Sequence, residues 1–279
     1  MKLRLYHHPD GARIAYREAG TGPPLALLHS QGLTHREFEP VVEALAHRHR
    51  VVLPDLPLHG DSEDRPHHPY TPDWLMEVLV GFLHDTCGPR PAVAGHGVGG
   101  QLALRAVAEG ALTPSRLVVM PCCMHTKPSR SGLEKTGQVL VRAAVVPGVD
   151  RVLARAGSAL IRPSRGERLT ATGAGGVQDL VRHANIDLGG NGNRVRSWAK
   201  AAKHWPRGAQ KDLLDAYPKM QFPVLLLWAD DDLIHPLSIA EEALQSLPDA
   251  QLRTLAGTGF LIAYDDPIGV ARELTAFCG

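Results

Sequence analysis

Cysteine is scarce: 279 residues hold only Cys87, Cys122, Cys123 and Cys278. Adjacent Cys122 and Cys123 are too close for an ordinary bridge and no C-x-x-C pair occurs, which excludes a disulfide scaffold. An excess of one charge is also missing. Lys and Arg total 30 against 29 Asp and Glu, net +1, which argues against a nucleic-acid partner. No uncharged apolar run reaches the 18 or so residues of a membrane helix, and Met1 to Asp10 has no signal-type apolar stretch. The expectation is a soluble cytoplasmic protein with reduced thiols and no membrane partner. What is present, 44% hydrophobic and 21% charged residues with 28 Gly and 22 Pro, describes a globular chain with many turns.

The charge is unevenly spread. Residues 122–220 carry 17 Lys and Arg against 7 Asp and Glu. Either this is a solvated helical surface, or it attracts an anionic metabolite or an acidic carrier protein. Short apolar runs alternate with amphipathic stretches, as in βαβ units of an α/β fold with a mostly parallel sheet. Leu3–His8 and Arg13–Glu18 read as an opening hairpin, and Pro24–His29, Arg50–Pro54, Pro91–Ala94, Arg116–Met120, Val224–Trp228 and Gln251–Leu255 as strands. Helices are expected over Arg36–His47, from Thr71 (as N-cap) to about Thr86, and over Val98–Glu109, Pro236–Leu247 and Asp266–Phe277. Between Pro121 and Phe222 the alternation stops. Helical stretches (Leu133–Val145, Arg151–Ile161, Gly176–Ala184, Arg194–His204) are separated by Gly-rich loops such as Leu188-Gly189-Gly190-Asn191-Gly192-Asn193.

Strand Pro91-Ala92-Val93-Ala94 runs into Gly95-His96-Gly97-Val98-Gly99-Gly100 and then a helix. Strand, glycine-flanked turn and helix make a nucleophile elbow, in which G-x-S-x-G lifts a strained residue above the sheet edge. Here the chain resembles the α/β-hydrolase fold superfamily. Further landmarks keep that family's order over nearly the whole length: Leu27-Leu28-His29, Asp55-Leu56-Pro57-Leu58-His59-Gly60-Asp61-Ser62, Trp228-Ala229-Asp230-Asp231-Asp232-Leu233-Ile234-His235-Pro236, and Gly257-Thr258-Gly259-Phe260. The resemblance implies an α/β-hydrolase core over 1–121 and 223–279, with a mostly parallel eight-stranded sheet flanked by helices, and a helical cap over 122–222.

The catalytic positions depart from that pattern. Gly97 stands where the family has its nucleophile, and Phe260 where it has the general-base His. Neither side chain can attack or carry a proton. Asp232 keeps the family's acid position. Deprived of its imidazole it must find another partner, or be raised toward neutrality by an apolar wall, and the pocket above Gly97 should be emptier and more apolar. The family's oxyanion donors map onto the backbone N–H groups of Val98 and, through a turn that reads His29-Ser30 rather than His-Gly, Gln31.

His235, three residues past Asp232, is the best substitute base, with a loop histidine as the bland alternative. His125, in Cys122-Cys123-Met124-His125, follows a strand end, where α/β sheets place ligands. Cys122 or Cys123 assisted by His125 is a candidate displaced nucleophile, against the plainer reading of small buried cysteines. His29, His96 and Ser30 belong to the pocket wall and read mainly as packing. Trp198, Trp205 and Tyr217 line a pocket or pack the cap, and Arg194, Arg196 and Lys200 share a helical face. No metal and no cofactor are expected.

Three function classes follow. The favoured one is a cofactor-independent, non-hydrolytic enzyme (lyase, isomerase or cyclase type) acting on a small apolar, anionic or acyl-type metabolite, with biosynthesis as its setting. The others are a hydrolase with relocated residues, through Asp232 and His235 or through Cys122 or Cys123, and a non-catalytic binding protein.

Overall fold

The computed structural model describes residues 1–127 and 168–279, apart from 66, 190, 191 and 207. Eight strands form one sheet in the order β1-β2-β4-β3-β5-β6-β7-β8. They span Lys2–His7 (β1), Arg13–Ala19 (β2), Pro24–Leu28 (β3), Arg50–Pro54 (β4), Ala92–Gly95 (β5), Arg116–Val119 (β6), Val224–Ala229 (β7) and Ala250–Leu255 (β8). β1 and β2 pair antiparallel, β2 pairs antiparallel with β4, and every later neighbour is parallel. The central strands read as unbroken apolar runs because helices cover both faces. Every residue of β7 is buried.

One face packs helices α2 (Pro72–Cys87) and α3 (Val98–Ala108) against Val93, Leu117 and Trp228. The other packs α1 (Glu39–Ala46) and the C-terminal helix Pro267–Cys278 against Leu25, Val51 and Leu227. Thr71 caps α2 as its sequence predicts, accepting the Trp74 N–H on Oγ1 at 3.3 Å. Where the cap is described, α4 (Val177–Gly189) and α5 (Gly192–His204) follow, then α6 (Asp212–Ala216). Two expectations change here. The Gly-rich stretch around 188–193 is largely helical, with Leu188 and Gly189 ending α4 and Gly192 and Asn193 starting α5. α6 has no counterpart in the sequence reading, because five residues carry too little periodicity to register. The stretches Leu133–Val145 and Arg151–Ile161 lie outside the described residues. After β7 come α7 (Ser238–Leu244) and, beyond β8, α8 (Ile262–Asp265) and α9 (Pro267–Cys278). Among the described residues no helix is long and apolar enough to cross a membrane.

Candidate active site

The turn from β5 into α3 centres on Gly97, with φ 51° and ψ −119°, a conformation an L side chain enters only with strain. The site is built around what surrounds this glycine. A Cβ placed there would lie 2.6 Å from Ser30 Cβ, 3.1 Å from Ser30 Cα and 3.6 Å from Phe260 Cζ. The expected emptier pocket is therefore corrected. Ser30, just past the end of β3, occupies the volume a nucleophile would need, and Phe260, from the loop after β8, lies in ordinary contact beside it.

Ser30 is held by a residue the sequence reading missed. Glu37, in the 3-10 turn His35–Phe38, accepts the Ser30 N–H at 2.7 Å and the Ser30 hydroxyl at 2.8 Å on Oε2, while its Oε1 pairs with His96 Nδ1. Glu37 and His96 are each 1% exposed. Burial alone would raise the Glu37 carboxyl, but the His96 ring and the Ser30 donors outweigh it and hold it below the usual carboxylate range. His96 also lies on the Phe260 ring, centroids 4.2 Å apart. Its Nε2 has no hydrogen-bond partner among the described residues. In the sequence Glu37 is one charged residue of the His35-Arg36-Glu37-Phe38 turn, and nothing there joins it to His96, 59 positions away.

On the other side of Phe260 stands His235, with ring centroids 5.3 Å apart and planes 30° apart. Its Nδ1 lies 3.1 Å from Asp232 Oδ2, and Asp232 Oδ1 accepts the Ile234 N–H at 2.7 Å. Trp228 fixes the loop by donating its Nε1–H to the His235 carbonyl at 2.8 Å. Of the two alternatives the sequence leaves for Asp232, the new partner is the one the structure has. Burial pushes the carboxyl toward neutrality, but His235 and the backbone donors win and hold it below its ordinary range. Phe260 separates two imidazoles, each bound to a carboxylate.

His29 and His59 brace the neighbouring turn. His29 Nε2 accepts the Leu56 N–H at 2.9 Å and its Nδ1 lies 2.8 Å from the Ser30 carbonyl. His59 Nε2 accepts the Gly32 N–H at 3.0 Å, with Nδ1 2.9 Å from the Pro57 carbonyl. Such contacts require neutral rings. Burial lowers both, and pushes His59 down to about 3. Asp55, beside them, accepts the His35 N–H at 2.8 Å and lies 2.7 Å from His35 Nδ1, and it too is held well below the carboxylate range despite its burial.

A cleft of about 420 Å³, its open mouth included, lies beside the elbow. Gln31, Val98 and His59 line it together with Trp198 of α5 and Trp205, just past the end of that helix, and the His59 and Trp198 rings meet edge to face at 4.8 Å. Val98 is the first residue of α3, so its N–H has no acceptor within the helix. Both residues predicted as backbone donors thus reach one cleft.

Other candidates sit elsewhere. Cys122 is fully buried and its thiol is pushed far above the ordinary range, so its reading as a displaced nucleophile is corrected. Cys123 is half-buried, its carbonyl accepting from the Thr126 N–H and hydroxyl. His125 faces Tyr217, Nδ1 to hydroxyl 3.3 Å, and Glu242, Nε2 to Oε2 3.1 Å. Tyr217 packs in the core. Arg194 is a clamp, reaching the Gly60 carbonyl at 2.8 Å and Asp64 Oδ2 at 3.2 Å.

These shifts set a pH dependence. The depressed carboxylates Glu37, Asp55 and Asp232 stabilise the fold above their unfolded range near pH 4, and that contribution is lost as pH falls. The depressed His29 and His59 act in the same direction, because below about pH 6.5 the unfolded chain takes up protons that the fold refuses. The urea midpoint should decline from about pH 6.5 downward and fall more steeply below about pH 4.5. A midpoint constant between neutrality and pH 4 would contradict this assignment.

Residues 25–273 match the model of the alpha/beta hydrolase family. The chain belongs to that family. An uncharacterized protein of Mycobacterium tuberculosis is 27% identical over 96% of this chain and 77% of its own length. The magnesium-chelatase 30 kDa subunit of Rhodobacter capsulatus is 28% identical over 86% of this chain and 81% of its own. For the pimeloyl-[acyl-carrier protein] methyl ester esterase of Nitrosomonas europaea the values are 26%, 86% and 90%. A thermophilic esterase from Thermogutta terrifontis superposes with a TM-score of 0.78 at 20% identity, covering 100% of this chain and 98% of its own. The epoxide hydrolase CorEH gives 0.78 at 18% identity, with 99% and 98% covered. These two share the fold of this alpha/beta hydrolase family member.

Proposed function

We propose that this alpha/beta hydrolase family member is a cofactor-independent enzyme that works without a nucleophile on its elbow and performs a proton-transfer reaction of lyase, isomerase or cyclase type. The observation that carries the reading is Ser30 packed over Gly97, its Cβ 2.6 Å from where a side chain would begin, a spacing that an attacking side chain could enter only if Ser30 moved. The substrate is a small apolar metabolite with a carbonyl group, seated in the cleft that Gln31, Val98, Trp198 and Trp205 line. On this reading the base is His235, oriented by Asp232 and stacked on Phe260 outside the residues that line the cleft; it takes a proton from the carbon beside that carbonyl, and the resulting enolate oxygen is held by the backbone N–H groups of Gln31 and Val98. The basic stretch 122–220 suits an anionic or acyl-type substrate, including one presented by an acidic carrier protein; the Nitrosomonas relative is named for an ester on an acyl-carrier protein.

The packing over Gly97 also supports a second reading, ligand binding without turnover. Native mass spectrometry of the purified protein identifies a retained molecule, whose conversion is then followed. Asp232→Asn and His235→Gln should each lower the rate by about 10²-fold or more while the bound fraction is kept. Unchanged rates in both would remove the dyad from the reaction, and retention with no conversion would leave the binding reading.

A further inference from the structure

Between β4 and α2 the chain carries a cluster that takes no part in the cleft. Glu63, His67 and His68 each bring one ligand atom to a common point, all three within 4.8 Å of one another. His68 Nε2 lies 2.8 Å from Glu63 Oε1, and both side chains are 4% exposed. The His67 ring lies 4.0 Å from that of His68, centroid to centroid, at the surface. Two imidazole nitrogens and one carboxylate oxygen are a ligand set for a zinc-class divalent cation, whose tetrahedral ligands at about 2.0–2.1 Å stand roughly 3.4 Å apart. Modest side-chain movement brings these atoms to that spacing.

The surroundings fit. His68 is stacked on Trp74, centroids 4.8 Å apart and planes 28° apart, and Trp74 donates its Nε1–H to Asp10 Oδ2 at 2.6 Å, so the ring plane is fixed from outside. Glu63 is anchored by its backbone N–H on the Arg13 carbonyl at 3.0 Å. Its competing partners, Arg13 Nε and Arg65 Nε, are both 3.3 Å away on side chains 41% and 54% exposed. The arginine ends of these pairs are solvated and can swing away from the buried Glu63 carboxylate when a divalent ion takes it.

We propose that Glu63, His67 and His68 form a binding site for a zinc-class divalent cation, with one coordination position left open. The sequence expectation of no metal weighed the Cys122-Cys123 cluster and overlooked this Glu-x3-His-His pattern. The site also reaches the cleft indirectly. Its loop accepts the Ser197 hydroxyl on the Asp64 carbonyl at 2.7 Å and Arg194 on Asp64 Oδ2 at 3.2 Å, and both donors lie on α5, which carries Trp198. Ordering the loop therefore steadies one cleft wall.

The test uses the full chain without a purification tag, stripped by chelator, then titrated with Zn²⁺ by calorimetry and with Co²⁺ by visible absorption. One equivalent should bind with micromolar or tighter Kd, Co²⁺ should develop d–d bands, and Zn²⁺ should raise Tm. His67→Ala, at an exposed position that leaves the fold undisturbed, and His68→Gln should each weaken binding about tenfold or more and abolish the Tm increase. Absence of saturable binding, or wild-type affinity in either variant, overturns the proposal.

Discussion

Gly97→Ser is expected to yield a less stable protein and no esterase. The new Cβ would meet Ser30 Cβ at 2.6 Å and Cα at 3.1 Å, and the second of these is backbone that cannot rotate away. Overpacking together with a non-glycine residue at φ 51° should cost about 2–4 kcal/mol, read as a lower urea midpoint with unchanged slope. Adding Ser30→Gly should recover about 1–2 kcal/mol of that loss, because the two positions share one space and are not additive. Only the triple variant Ser30→Gly, Gly97→Ser, Phe260→His restores room, nucleophile and base together beside the retained Asp232. It is expected to hydrolyse p-nitrophenyl acetate above background, whereas Gly97→Ser alone is not. A fully stable, esterase-active single variant would show that Ser30 does not exclude the nucleophile.

Glu37→Gln should be the most destabilising conservative change near the site. The carboxylate serves three donors, Ser30 N–H, Ser30 hydroxyl and His96, with all three residues buried. Removing one partner of a buried pair costs about 3–5 kcal/mol because the other is stranded. The double variant Glu37→Gln, His96→Gln should be less destabilised than the sum of the two singles, since a neutral pair leaves no uncompensated charge. Chemical denaturation checks both. A Glu37→Gln midpoint matching wild type would mean that the carboxylate is already protonated or solvated, and the network would lose its role as the link between the oxyanion turn and the elbow.

Most of the core was legible in the residues because it follows from periodicity and glycine placement. Apolar runs such as Val224–Trp228 can only be strands covered on both sides. The Gly95-His96-Gly97 turn is forced between β5 and α3, and Thr71-Pro72 marks a helix start. The elbow followed from that order, and the two candidate donors from the family resemblance it carries. What sequence could not deliver was contact between distant positions. Glu37 and His96 meet only because β3 and β5 are neighbours in the sheet, and the fate of Asp232 turned on the rotamer of His235. Ser30 filling the space over Gly97 is likewise a consequence of two strand ends abutting. Glu63 and His68 are close in the chain, but the Trp74 ring that orients His68 arrives from α2.

The account stands on the absence of a covalent intermediate. Incubating the wild-type protein with a fluorophosphonate and with a p-nitrophenyl ester, and then measuring its intact mass, tests this directly. The predicted outcome is an unmodified mass with each reagent while the protein stays folded. A stoichiometric adduct mapping to Ser30, to Cys123 or to any side chain lining the cleft would contradict it.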